Sequence, residues 1–295
     1  MNRARLPLLY SLLYHRFSES FPMMLSSRAN NRLPLPIGQQ NKAIYQHPAE
    51  ADRDDFSDIG ADLRLQQHET NLRIREEYGG VLSALFGSDE IRDSFFAHTY
   101  GRSVSYFRRS SCGNVSEEKP QFDTKYISPP ISGIDLPRLY ISNEWTSLRR
   151  RGSQDMLDKE RMSYQQMTGY IQGGGSIIIP ITPDDYLFPI KLQIERALGL
   201  KEENGTTMNI YHSGPSAVAL NIHYDAYPVF VLQVEGNKEW IIQDNSFGRP
   251  IDDITRWRNV TMTKGDLLYI PKGVCHAATT AKGFNTTTHV TIGLL

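Results

Sequence analysis

Three side chains near the C-terminal end have types and spacings suited to metal chemistry. His223 and Asp225 are two positions apart, and on an extended backbone such a pair points to one face. His276 ends the phrase Gly265-Asp266-Leu267-Leu268-Tyr269-Ile270-Pro271-Lys272-Gly273-Val274-Cys275-His276, just past a tight turn and at the entry to another strand. Two imidazoles and one carboxylate form the ligand face used by non-haem Fe(II), whereas thiolates would favour zinc or a cluster. Such a face leaves room on an octahedral ion for an oxygen-donor cosubstrate and for O2. Singly, each residue has an ordinary explanation: His-x-Asp pairs are common, and a lone histidine after Pro-Lys-Gly is unremarkable. The combination points to a metal centre. Fifteen residues after His223 stands Lys238, in Glu-Gly-Asn-Lys. On its own it reads as a solvated lysine in a hairpin turn.

These residues need rigid elements to hold them. From Thr206 onward the chain reads as short strands separated by turns, at 207–211, 217–222, 229–235, 239–243, 260–263, 267–270, 277–280 and 288–292. Strands at this spacing imply a closed or double-layered β fold and not a doubly wound sheet. An isoleucine-rich stretch at 176–181 reads as a buried strand. Thr182-Pro183-Asp184-Asp185 has the form of a helix start, with Pro189 interrupting it. Leu187, Ile190, Ile194 and Leu198 then share one helical face, and Gly199 can end that helix. Further upstream, helices are expected over 63–85, 91–100 (with Phe95 and Phe96 facing a core) and 143–167, and a loop or ribbon over 103–120. Arg149-Arg150-Arg151 reads as a solvated basic face that can also meet an acidic partner.

The 295 residues, 39% hydrophobic and 22% charged, suffice for one or two globular domains with a sizeable core. A formal net charge of -1 gives no electrostatic reason to expect nucleic acid or an anionic membrane as partner. No apolar run approaches the length of a membrane helix, about 20 residues. Only Cys112 and Cys275 are present, which is no disulfide framework and favours a reducing, cytoplasmic compartment. Residues 1–45 read as a disordered leader. Its arginines and scarce acids also resemble an organellar transit peptide, and Met23 or Met24 is an alternative start. An acidic run follows at Asp52, Asp54, Asp55, Asp58 and Asp62. The expected organisation is this leader, a helical and mixed region over 46–172 packed on the barrel, and a barrel domain over 173–295.

Residues 173–293 resemble the JmjC-type oxygenases, and most closely their ribosomal-oxygenase branch of protein hydroxylases, sometimes grouped as cupin-like. The matching phrases are His-Tyr-Asp at 223–225, Phe-Val-Leu-Gln-Val-Glu-Gly-Asn-Lys-Glu-Trp at 230–240, the phrase ending at His276, and Thr-His-Val-Thr-Ile-Gly at 288–293. The resemblance implies a double-stranded β-helix (jelly-roll) barrel with N-terminal helices, an α+β chain that is mainly β. It implies Fe(II) held by His223, Asp225 and His276, with 2-oxoglutarate and O2 as cosubstrates. Lys238 would hold the distal carboxylate of 2-oxoglutarate, Asn209 would add a hydrogen bond to it, and Tyr211 would lie near the substrate. His289 recurs in the family's terminal strand, or is a packed core histidine. The implied reaction is hydroxylation of an unactivated C–H bond on a protein or peptide side chain. Hydroxylation of a small metabolite, N-demethylation and a non-catalytic metal-binding cupin are the alternatives.

The sequence also departs from that branch. Apolar Ile178 stands where the branch has a substrate-binding arginine, and Cys275 replaces a large aromatic. The dimerisation and winged-helix regions that follow the branch's barrel have no counterpart before Leu295. These departures leave the metal chemistry intact and weaken the expectation of a ribosomal-protein substrate.

Overall fold

Side chains alternate between two faces along the C-terminal strands, and each face has its own cover. The computed structural model describes residues 80–109, 129–154, 162–243 and 256–295. Its helices are α1 (Val81–Phe86), α2 (Asp89–His98), α3 (Leu136–Ser142), α4 (Tyr164–Gln172) and α5 (Phe188–Ala197). Its strands are β1 (Ser105–Phe107), β2 (Ser147–Arg150), β3 (Ser153–Gln154), β4 (Ser176–Pro180), β5 (Thr206–Ser213), β6 (Val229–Glu235), β7 (Lys238–Gln243), β8 (Trp257–Met262), β9 (Leu267–Ile270), β10 (His276–Thr280) and β11 (Thr287–Leu294). An eight-stranded sheet runs β1-β9-β6-β11-β5-β4-β2-β3, and a three-stranded sheet runs β10-β7-β8. Neighbouring strands pair antiparallel throughout. The mainly β fold with a few helices matches the expectation.

One face of the large sheet carries Leu148, Ile177, Ile179, Met208, Ile210, Phe230, Leu232, Val290 and Ile292, all buried in a core shared with the helices. Phe86 of α1 and Phe95 of α2 pack on this face. Phe95 lies 4.8 Å from Tyr269 and 5.8 Å from Phe230 between ring centroids, and Phe86 meets Phe230 edge-on at 5.7 Å, near the preferred geometry for aromatic pairs. From the opposite face Val229, Val231, Leu268 and Ile270 pack against Trp240, Ile242 and Met262 of the small sheet. The functional residues lie between the two sheets, on the odd-numbered side of β5 and β11.

Several local expectations are corrected. The 143–167 stretch is not one helix. It contains the β2–β3 hairpin, with Arg149 opposite Gln154 and Gly152 at φ +79°, and α4 begins only at Tyr164 behind a Ser163–Gln166 capping box. Pairing of β2 with β4 outside the local segment overrides helical composition here. The 217–222 stretch forms no strand, because its backbone bonds are spent elsewhere: Val218 O accepts from Gly152 N–H, and Ala217 O from Thr280 N–H. Within 103–120, β1 pairs with β9, so a strand from before residue 173 belongs to the large sheet, as β2 does. At 182–185 the Asp185 carboxylate accepts from Thr182 N–H (2.6 Å) and Oγ–H (2.9 Å). This box closes a turn, and α5 starts at Phe188 with Pro189 in its first turn. The remaining strands and α2 fall within a few residues of expectation, β6 and β9 at the same bounds.

The leader, the acidic run at 52–62, the 63–79 part of the first expected helix and Cys112 lie outside the described residues. No helix among the described residues is long and apolar enough to cross a membrane.

Candidate metal and cosubstrate site

His223 and His276 come from different segments, yet their backbones are tied to each other. His223 N–H donates to His276 O (3.1 Å) and His276 N–H to His223 O (2.8 Å), an isolated antiparallel bridge. His223 is thus not held by a strand of its own, as expected, but hangs on the first residue of β10. Asp225 is fixed through its carbonyl, which accepts from Gly273 N–H in the turn before His276 (2.9 Å). The three ligand atoms of His223, Asp225 and His276 all lie within 4.8 Å of one another. The imidazole rings are 4.4 Å apart between centroids, and His276 Nε2 lies 3.5 Å from an Asp225 carboxylate oxygen.

The tautomers fit a metal. His223 Nδ1 is 2.8 Å from Asn221 O and His276 Nδ1 is 2.9 Å from Val274 O. A carbonyl can only accept, so each Nδ1 carries the proton and each Nε2 lone pair is free to bind a cation. Burial, and then the neighbouring His223, push His276 down to about 3, keeping it neutral and ligand-competent. Burial raises the Asp225 carboxyl, and His223 opposes that shift. The donor set of two imidazole nitrogens and one carboxylate suits a divalent transition metal.

The triad opens into a cavity of about 130 Å³ between the sheets, also lined by Asn209, Tyr211, Lys238, Trp240, His289 and Thr291. Lys238 is not the solvated hairpin lysine that Glu-Gly-Asn-Lys taken alone suggests. Gly236 takes φ +63°, and the chain passes from β6 in the large sheet to β7 in the small one. Lys238 opens β7 and is 1% exposed. Its Nζ lies 3.2 Å from Ser213 Oγ, and burial pushes it down to about 7. Asn209 and Tyr211 share the inner face of β5, opposite Thr291 and His289 of β11. Tyr211 and His289 stack at 4.7 Å with 12° between their planes. Burial, then the Asp225 charge, raise the Tyr211 phenol to about 12. Burial and Lys238 hold His289 well below its ordinary value.

The sequence reading named the triad, Lys238, Asn209 and Tyr211, and the fold brings all six to one cavity. It missed Ser213, Trp240 and Thr291. His289 Nδ1 and Trp240 Nε1 are buried and have no hydrogen-bond partner among the described residues, so this end of the cavity presents unsatisfied polar groups. The even spacing of Asn209, Tyr211 and Ser213 along one strand was the available signal for Ser213.

The two-histidine, one-carboxylate cluster lies between two antiparallel sheets, and residues 189–295 match the JmjC domain family. A 98-residue stretch is 36% identical to ribosomal oxygenase 2 of Bos taurus, covering 28% of this chain and 20% of that protein. A longer match of 215 residues is 25% identical to the bifunctional lysine-specific demethylase and histidyl-hydroxylase NO66 of Drosophila erecta, covering 65% of this chain and 31% of that one. The chain thus spans less than a third of the length of these curated relatives. Among solved structures, the Escherichia coli ribosomal oxygenase YcfD in complex with cobalt and 2-oxoglutarate is 15% identical, with a TM-score of 0.44 over 69% of this chain and 51% of that one.

Proposed function

We propose that this chain is an Fe(II)- and 2-oxoglutarate-dependent dioxygenase that hydroxylates an unactivated C–H bond on a protein or peptide side chain. The observation that carries this reading is the coexistence, in one cavity, of a two-histidine, one-carboxylate triad and a fully buried lysine with one hydroxyl partner. A metal-binding scaffold without turnover has no use for the lysine, which is costly to bury without an anion. The JmjC match and the names of the relatives agree with this reading.

His223, Asp225 and His276 would hold the metal through two Nε2 atoms and one carboxylate oxygen. When bound, iron with 2-oxoglutarate supplies the oxidising chemistry: O2 and 2-oxoglutarate are consumed, succinate and CO2 are released, and one oxygen atom enters the substrate C–H bond. The Lys238 ammonium donates to the distal carboxylate of 2-oxoglutarate as a point charge, and Ser213 steadies its Nζ. Asn209 contributes a further polar contact, and Tyr211, held by His289, shapes the substrate side. The apolar packing of Val229 and Val231 against Trp240 limits water at the site.

Anaerobic Fe(II) loading followed by 2-oxoglutarate tests the reading. A broad visible charge-transfer band, and succinate formation once O2 is admitted, are expected. Metal-loaded protein that fails to bind 2-oxoglutarate would contradict it. A mass-spectrometric screen of peptides and metabolites for gain of one oxygen, dependent on 2-oxoglutarate, then identifies the substrate and separates hydroxylation from demethylation.

A further inference from the structure

Leu148 faces the helix-covered core, so its neighbours Ser147 and Arg149 lie on the inner face of the large sheet. That is the face of Ile178, Tyr211 and Asn209. Arg149 pairs with Ser176 of β4, which pairs with Ser213 of β5, two strand spacings or about 10 Å away. Its backbone is fixed on both sides. The Tyr170 hydroxyl donates to Arg149 O (2.7 Å), and the next turn is tied to the segment leading into the triad through Gly152 N–H and Val218 O.

The Arg149 side chain is not satisfied in the same way. Its Nε is buried and has no hydrogen-bond partner among the described residues. A guanidinium keeps its charge at any physiological pH and cannot relieve burial by losing a proton. The Asp225 carboxylate is committed to the triad, and no ion pair of Arg149 is found among the described residues. Tyr211 lines the cavity and feels both charges: Asp225 raises its pKa and Arg149 lowers it. A half-buried cation with a buried, unpaired Nε–H therefore acts on the tyrosine that lines the triad cavity. The Nε–H and one Nη–H form a side-on fork that matches the two oxygens of a carboxylate.

We propose that Arg149 holds a carboxylate of the substrate beside the triad cavity, making it a specificity-determining residue for acidic substrates. This inference rests on the oxygenase reading for the identity of the site, but its test does not require turnover. The probes are N-acetyl-glutamate methylamide, its glutamine counterpart and hexanoate. Their affinities for the full chain are measured by saturation-transfer NMR, and their position by line broadening from bound Mn(II).

The glutamate probe is expected to bind at least about tenfold more tightly than the glutamine probe and to be broadened by Mn(II), since one charge-assisted hydrogen bond accounts for such a ratio. Arg149→Met removes that preference, and Arg149→Lys, which keeps the charge but loses the fork, retains part of it. The 2-oxoglutarate band stays unchanged in both variants. Hexanoate binding as tightly as the glutamate probe assigns the site to organic acids in general, and weaker binding assigns it to acidic peptide side chains; both support the carboxylate. Equal binding of the glutamate and glutamine probes, or wild-type affinity in Arg149→Met, overturns the proposal. So does loss of metal or 2-oxoglutarate binding in both variants, which would mean a structural role. Absence of the 2-oxoglutarate band in the wild type would instead overturn the oxygenase reading and leave the probe titration to judge Arg149.

Discussion

The two ends of the cavity are built on opposite principles. At the triad end each histidine already spends its Nδ1 proton on a backbone carbonyl, and the two histidines hold each other through paired backbone bonds. At the other end Lys238 has one hydroxyl contact, and His289 Nδ1 and Trp240 Nε1 have no partner among the described residues. The first end is preorganised, its ligand atoms aimed before a metal arrives. The second tolerates unfavourable burial that a bound anion would relieve. Local stability and ligand affinity should therefore respond in the same direction at the triad end and in opposite directions at the lysine end.

The largest expected effect comes from the triad. Asp225→Ala or His223→Ala should bring metal-dependent succinate formation below detection, and wild-type turnover in Asp225→Ala would break the assignment. Next is Lys238→Met. It should weaken 2-oxoglutarate binding by about 10- to 100-fold, the worth of a charge-assisted hydrogen bond, while raising the denaturation midpoint of the ligand-free protein.

The sign of that stabilisation follows from linkage. The folded Lys238 value, about 7, lies below its unfolded value near 10.5, so between those pH values the unfolded chain binds more protons. The penalty is complete below pH 7 and fades as pH rises toward 10.5. The gain from Lys238→Met should be on the order of 2–4 kcal/mol at pH 7 and shrink in alkaline buffer. A pH-independent difference between the two proteins would remove the buried ammonium from the comparison. Because the anion needs the charged lysine, 2-oxoglutarate affinity of the wild type should also fall as pH climbs above about 7, measurable by titrating the visible band.

A smaller effect tests the preorganised end. A side chain at Gly152 meets a φ of +79° and the Asn221 side chain, and Asn221 O orients His223. Gly152→Ala should weaken metal affinity by about tenfold, in the range for groups that orient metal ligands, with 2-oxoglutarate affinity of the metal-saturated protein little changed. The smallest is Asn209→Ala, a loss of a few-fold in 2-oxoglutarate affinity, as for one neutral hydrogen bond.

The same division explains what could be read from sequence. Strands β6 and β9 were legible because their apolar runs are bounded by turn glycines and buried on both faces. The triad was legible because its chemistry is written in residue type and short spacing. The 217–222 stretch misled because Ala217, Val218, Ala219 and Leu220 look strand-like, while the Ala217 and Val218 carbonyls bond to Thr280 and Gly152, far away in sequence. No local feature of Glu-Gly-Asn-Lys says that β6 and β7 join different sheets, so only the family resemblance pointed to Lys238 as a cavity residue. Trp240 and Thr291 enter the cavity through strand order and face parity, which only the assembled sheets define. Arg149 sat in a basic triplet indistinguishable from a solvated face until its pairing with β4 turned it inward.

The paired backbone bonds between His223 and His276 bear on how the protein acquires its metal. The two histidines are 53 positions apart in sequence (276 minus 223), so an unfolded chain would have to close that whole loop around the ion. The entropy of such closure grows with the logarithm of loop length, and here the paired backbone bonds between the two histidines help to meet it. During synthesis, the two-histidine chelate cannot exist until His276 has left the ribosome.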